Sequence, residues 1–318
     1  MVAASISKIV IYPIKSCAGI ELESAEHGPG GLRFDRRWML VDSHGAFLSQ
    51  RTHPQFAGIQ TMLFDRERRP WNASSETPVH FLGVFMSSDG SLSSPELLSV
   101  ELLEKAGGLL LPLEVKDGPS CQVEVWNDQV RALEYSPGSD WFRAHFDQDL
   151  RLVYLPEKEL RQVNPHRSRP GDRVGFADGY PLLLVNGASL DSLNSMIAGG
   201  VDAAQRSKIS PLSWERFRPN LILEGLPAWD EETWREIKIA EFMADVPKLC
   251  ERCVVTTIDP TSRQKGPEPL KTLAREKKWQ GALWFGANLI LRGDGVISLG
   301  SPVEVIRRRP HPALAARP

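Results

Sequence analysis

Apolar and polar positions alternate over residues 6–12, which predicts an opening strand stopped by Pro13. Similar short runs predict strands at 21–27, 36–42, 151–155, 179–185, 236–240, 283–291 and 296–306, with turns at 28–31 and 42–45. A helical period surfaces in fewer places: residues 139–146 with Asp140 as cap, 190–197 capped by Ser189 or a neighbour, and 269–276. Short strands among so many Trp, Pro and Gly residues predict a β-rich mixed α/β fold built on a barrel-like β domain with helical additions. Two stretches break the pattern. Residues 70–90 contain an exposed loop at 72–78, and the polar, arginine-rich stretch 164–178 reads as a mobile surface loop or module boundary.

A chain of 318 residues buries a sizeable core and has room for two domains. Its 38 basic and 40 acidic residues leave a net charge of −2, which gives no footprint for nucleic acid or for an anionic membrane surface. No apolar run is long enough to cross a bilayer, and the first residues lack the pattern of a secretory signal, so a cytoplasmic location is expected. Four cysteines with one close pair argue against a secreted disulfide framework.

That close pair, Cys250-Glu251-Arg252-Cys253, precedes a β-branched run at 254–258 that reads as a strand ended by Asp259-Pro260. A thiolate is a soft metal ligand, and Arg252 beside it favours the ionised form. Zinc takes four protein ligands and a redox dithiol usually opens a helix; here the other cysteines, Cys17 and Cys121, lie far away in the chain. On spacing alone, inert packing of the two thiols remains an equal alternative.

Candidate anion contacts occur elsewhere. Lys15 and Ser16 follow the first strand, and Arg33, Arg36 and Arg37 crowd one turn, although strand alternation would let only one of Arg36 and Arg37 face a given pocket. The segment from Asn186 to Ser189 joins a strand to a helix N-terminus, a geometry suited to anions. Arg216 and Arg218 precede a strand starting at Asn220, and Pro219 is expected to hold Arg218 extended, with a structural ion pair to Glu224 as the alternative.

Five motifs, in this order, carry a family likeness: Tyr12-Pro13-Ile14-Lys15-Ser16-Cys17; Asp35-Arg36-Arg37-Trp38-Met39-Leu40-Val41; Asn186-Gly187-Ala188-Ser189-Leu190; Arg216-Phe217-Arg218-Pro219-Asn220; and Cys250 to Cys253 with Thr256-Thr257-Ile258-Asp259-Pro260. Together they resemble the MOSC-domain proteins, in the branch with an N-terminal MOSC β-barrel domain that includes the amidoxime-reducing component. The resemblance implies a molybdenum-molybdopterin cofactor, with Cys253 as metal ligand and catalytic residue. It further implies that Lys15, Ser16, Arg36, Asn186, Ser189, Arg218, Asn220 and Arg252 hold that cofactor. The implied reaction is reduction of N-hydroxylated compounds such as amidoximes and hydroxylamines.

No GxGxxG turn follows a strand and no further cysteine cluster is present, so electrons are expected from an external electron-transfer protein; neither pyridoxal phosphate nor an iron-sulfur cluster is expected in this chain. Glu251 departs from the small hydroxyl residue of the amidoxime-reducing enzymes. Because Lys15 and Cys253 must share one pocket, the domains are expected to be discontinuous: residues 1–37 and 151–308 as the MOSC core, 38–150 as an inserted N-terminal-type domain, and 309–318 as a disordered tail. The rival reading is a molybdenum cofactor or sulfur carrier without turnover, and the blandest a scaffold with inert thiols.

Overall fold

Alternation in the strand Ser5–Ile11 turns Ile6, Ile9 and Ile11 into the main core, and a register shift between Ile6 and Lys8 explains how Ile6 and Ile9, three apart, share it. In this computed structural model, residues 4–71, 78–86, 99–200 and 210–311 are described; the loop expected at 72–78 lies almost wholly outside them, as does most of the tail from 309. Ser5–Ile11 belongs to a nine-stranded sheet. Its order is Ile20–Leu22, Ser5–Ile11, Leu221–Glu224, Leu182–Asn186, Ala282–Leu291, Phe242–Glu251, Trp234–Ile239 and Val303–Arg308, with Lys278–Trp279 pairing at the side of Ala282–Leu291.

Neighbours are antiparallel except Leu182–Asn186 and Leu221–Glu224, whose parallel pairing requires the crossover that carries the helix Gly187–Gly199. The sheet also curls back on itself. The Ile6 amide donates to the Ser301 carbonyl at 3.0 Å and the Val303 amide to the Ala4 carbonyl at 2.8 Å, which ties the first strand to the last.

Strands between Trp38 and Tyr154 pair among themselves. Trp38–Val41, Arg151–Tyr154, Asp128–Glu134 and Ser120–Val125 form one sheet, and Ile59–Asp65, Val79–Met86 and Leu109–Pro112 another. The helix Ser136–Phe146 packs on the first of these through Phe142. The chain passes between the two regions at Ile14 and Trp38, where the Lys15 amide donates to the Trp38 carbonyl at 2.8 Å.

Several local expectations change. Residues 254–258 are not a strand: Val254–Thr257 is a 3₁₀ turn, because the Thr256 and Thr257 hydroxyls donate back to the carbonyls of Cys253 and Val254 at 2.9 and 2.7 Å. The strand comes earlier, at Phe242–Glu251, so Cys250 lies on it and Cys253 just past its end. Arg218 is not extended but left-handed, with φ of 55°, closing the turn Trp214–Phe217. Pro219 forbids it the right-handed helix, and the left-handed well meets that constraint too. Arg36, with φ of 47°, sits in the turn before Trp38 rather than on a strand. The helix expected to start at Asp140 already begins at Ser136, with Pro137 in its first turn. Gly286 lies within the strand Ala282–Leu291 with φ of 78°, and a Cβ there would stand 2.7 Å from the Leu184 carbonyl oxygen.

Candidate functional site

A cleft between the barrel and the 38–154 region is lined by Lys15, Arg36, Arg51, Arg216, Arg218 and Arg252, with Cys250 and Cys253 in its wall. Its enclosed part holds about 150 Å³. Among the lining residues only Asp178 and Glu251 carry negative charge, and with Asp35 and Asp259 pairing Arg36 and Arg216 at 2.6 Å each the cleft keeps a net positive charge.

Lys15 is buried and donates to the Phe176 carbonyl at 2.7 Å and to Asp178 Oδ1 at 2.5 Å. Burial pushes its ammonium below the usual lysine range, with Asp178 opposing. For Asp178 the balance runs the other way. Withdrawal from water opposes ionisation, but the charge and hydrogen bond of Lys15, helped by the Trp126 indole at 3.2 Å, hold its carboxyl well below the usual range. Ser16 lies next to Lys15 in the cleft wall with φ of 74°, its carbonyl accepting from Gln50 at 2.6 Å.

Arg36 and Arg218 both pack against one aromatic ring. Their guanidinium carbons stand 4.5 and 4.2 Å from the Tyr12 ring centroid. Burial works against the Arg36 charge, yet Asp35 at 2.6 Å outweighs it and raises the group. Asn220 completes the frame: its amide oxygen accepts from Arg36 at 3.0 Å and its amide nitrogen donates to the Val10 carbonyl at 3.0 Å. Arg218 donates to the Cys17 carbonyl at 2.6 Å and pairs with no carboxylate among the described residues; burial lowers it to about 10. Glu224 is not its partner.

The two thiols have separate guanidinium neighbours. Arg252 Nη1 lies 2.9 Å from Cys250 Sγ, and Arg51 Nη2 lies 3.4 Å from Cys253 Sγ. Burial still raises the Cys250 thiol above its ordinary value, with Arg252 opposing. Arg51 in turn lies 4.3 Å from the Trp126 ring, at the tip of the hairpin formed by Ser120–Val125 and Asp128–Glu134.

Lys15, Ser16, Arg36, Arg218, Asn220, Arg252 and Cys253 are thus brought together; Asn186 and Ser189 are not. Asn186 caps the helix Gly187–Gly199 through the Ala188 amide, and Ser189 donates to Glu231 Oε2 at 2.9 Å. Asn186 donates to the same carboxylate oxygen at 3.1 Å. The group at this helix N-terminus is therefore the chain's own Glu231 carboxyl, buried at 1% exposure and raised by that burial to about 7. Arg51, Trp126 and Asp178 went unread in the sequence. Arg51 and Trp126 gave no motif, and Asp178 closes the stretch 164–178 that composition marked as mobile.

Residues 3–76 match the family described as MOSC N-terminal beta barrel domain, and residues 171–304 match the MOSC domain. The chain is a MOSC-domain protein. Its relatives include mitochondrial amidoxime-reducing component 1 of Homo sapiens, 28% identical over 95% of this chain and 83% of that protein. The molybdenum cofactor sulfurase of Oryza sativa subsp. japonica is also 28% identical, over 94% of this chain, but the MOSC protein spans only 34% of the sulfurase. The crystal structure of YiiM from Geobacillus stearothermophilus overlaps 40% of this chain and 55% of its own at a TM-score of 0.29 and 14% identity, too slight a likeness to carry an argument. Among the described residues no helix is long and apolar enough to cross a membrane.

Proposed function

We propose that this MOSC protein is a molybdenum cofactor-dependent reductase of N-hydroxylated compounds, drawing electrons from an external redox protein. The observation that carries this reading is the placement of Cys253, a soft donor, in the wall of a cleft lined by six cations and facing only two acids. The donor set fits a large, phosphorylated anion. Arg218 Nη2 and Arg252 Nε are buried without a hydrogen-bond partner among the described residues, which is costly unless a ligand supplies acceptors.

Under this reading Lys15, Ser16, Arg36, Arg218 and Arg252 hold the cofactor's anionic groups, Asn220 fixes Arg36, and Cys253 ligates the metal. The bound cofactor would supply the two-electron, oxygen-removing chemistry. The protein's part is position and charge: Tyr12 keeps two guanidinium groups aligned, Arg51 steadies the Cys253 sulfur, and Asp178 holds Lys15 until an anion competes for it.

A second reading, a cofactor or sulfur carrier, draws support from the likeness to sulfurases over nearly the whole chain and from the second thiol beside Arg252. One experiment separates the two. The protein is purified from molybdenum-replete cells, and molybdenum, pterin phosphate and turnover of benzamidoxime with an artificial reductant are measured. Stoichiometric molybdenum with turnover supports the reductase; cofactor without turnover supports the carrier; neither refutes both.

A further inference from the structure

A second concavity, of about 540 Å³, adjoins the cleft. The two have one wall residue in common, Glu251, at the end of the strand Phe242–Glu251. One side of this groove is aromatic. Trp279 and Trp284 stack with centroids 6.0 Å apart and planes 21° from parallel, and the Trp284 indole donates to the Trp279 carbonyl at 2.9 Å. Lys248, whose ammonium stands 5.2 Å from the Trp284 ring and 3.7 Å from Glu251, also lines the groove.

The groove wall also carries cations. Arg167 and Arg309, from segments far apart in the chain, reach toward the same acceptor, the Pro247 carbonyl, at 3.4 and 3.5 Å. Neither forms an ion pair among the described residues, and Arg309 Nε is buried without a hydrogen-bond partner. Burial lowers the Arg309 guanidinium, and its charged neighbours Arg235 and Arg167 lower it further. Two guanidinium groups turned to one carbonyl, with no carboxylate paired to either among the described residues, repel one another, and a carboxylate, which matches the guanidinium fork, relieves that repulsion. An apolar wall and such a fork in one concavity are the usual makings of a small-molecule site.

We propose that this groove binds an aromatic carboxylate, with Arg309 and Arg167 pairing to the carboxylate and Trp279 and Trp284 walling the ring. Resting on the reductase reading, the groove holds the unreactive body of the substrate while its N-hydroxylated end passes Glu251 toward Cys253. Substrates with a distal carboxylate are then preferred over neutral ones. The groove, unlike the cleft, discriminates among substrates without touching the reacting atoms.

The test is equilibrium binding by calorimetry, with phenylacetate as the probe. Phenylacetamide lacks the charge and acetate lacks the ring, and both are expected to bind at least tenfold more weakly. Arg309→Gln and Trp279→Ala are each expected to weaken phenylacetate tenfold or more, and Arg218→Ala to leave it unchanged. Arg167→Gln, at an exposed position where the fold is not at stake, is expected to weaken it several-fold. Unchanged binding in both arginine variants, or loss confined to Arg218→Ala, overturns the proposal. So does acetate binding as tightly as phenylacetate. Because binding is read without turnover, a protein that binds phenylacetate as described but reduces nothing refutes the reductase reading and leaves the groove standing.

Discussion

Arg51 Nη2 lies 3.4 Å from Cys253 Sγ, a contact across 202 residues that joins the 38–154 region to the barrel at the thiol itself. Behind Arg51 stands the Trp126 ring, whose indole donates to Asp178, which in turn pairs with Lys15. One hairpin tip therefore braces both the thiol and the buried lysine.

Trp126 is the residue on which that bracing converges. Trp126→Ala removes a cation–π contact worth roughly 0.5–2 kcal/mol and a hydrogen bond to a carboxylate. Alkylation of Cys253 by a maleimide is expected to quicken several-fold, and less so in Trp126→Phe, which keeps a ring under Arg51. Mass spectrometry reads this directly, because trypsin cuts after Arg252 and separates Cys253 from Cys250. Equal rates in all three proteins would show that the hairpin does not shield the thiol.

Removing Arg218 or Lys15 tests the anion contacts. Each supplies a charge-assisted bond worth roughly 1.5–3 kcal/mol, so Arg218→Ala and Lys15→Ala are each expected to lower cofactor occupancy tenfold or more at limiting supply. Far-ultraviolet circular dichroism should stay unchanged. Arg218 makes no ion pair among the described residues, so its loss strands no acid, and full occupancy in both variants would refute the assignment.

Glu231 gives the stability a pH dependence. Its folded value of about 7 lies above the ordinary 4.5, so the folded state holds a proton that the unfolded chain releases first. Glu231's contribution to stability should therefore fall as pH rises from about 4.5 to about 7, by up to roughly 3 kcal/mol, and level off above. Glu231→Gln is expected to flatten this slope and to be the more stable protein at pH 8. Urea unfolding at pH 5, 6, 7 and 8 measures it; parallel curves for the two proteins would contradict the account.

How much of this was legible in the sequence depended on how local the cause was. The opening strand, the turn at 28–31 and the order of motifs were readable because alternation and turn chemistry act within a few residues. The 3₁₀ turn after Cys253 was not, since Val254 and Val255 speak for a strand and only the back-bonding of Thr256 and Thr257 decides otherwise. The segment from Asn186 to Ser189 does open a helix, though three residues earlier than expected, with Asn186 rather than Ser189 as cap, and the carboxyl it meets, Glu231, comes from 42 residues beyond Ser189. Arg51 and Trp126 became visible only once the hairpin was folded against the barrel.

The two thiols are predicted to differ. Cys250 is pushed toward the neutral thiol by burial and lies on the strand, whereas Cys253 caps the following turn beside Arg51. Cys250→Ser is expected to retain most benzamidoxime turnover, and Cys253→Ser to lose it, because a hard hydroxyl is a poor substitute for a soft donor. Equal loss in both would favour a dithiol or sulfur-transfer role.

The central claim, that Cys253 is the chain's metal ligand, is tested most directly by X-ray absorption at the molybdenum edge on the wild type and on Cys253→Ala loaded with cofactor. The account predicts one fewer sulfur neighbour around molybdenum in the variant, and an unchanged count in Cys250→Ser. A sulfur count in Cys253→Ala equal to that of the wild type would contradict it.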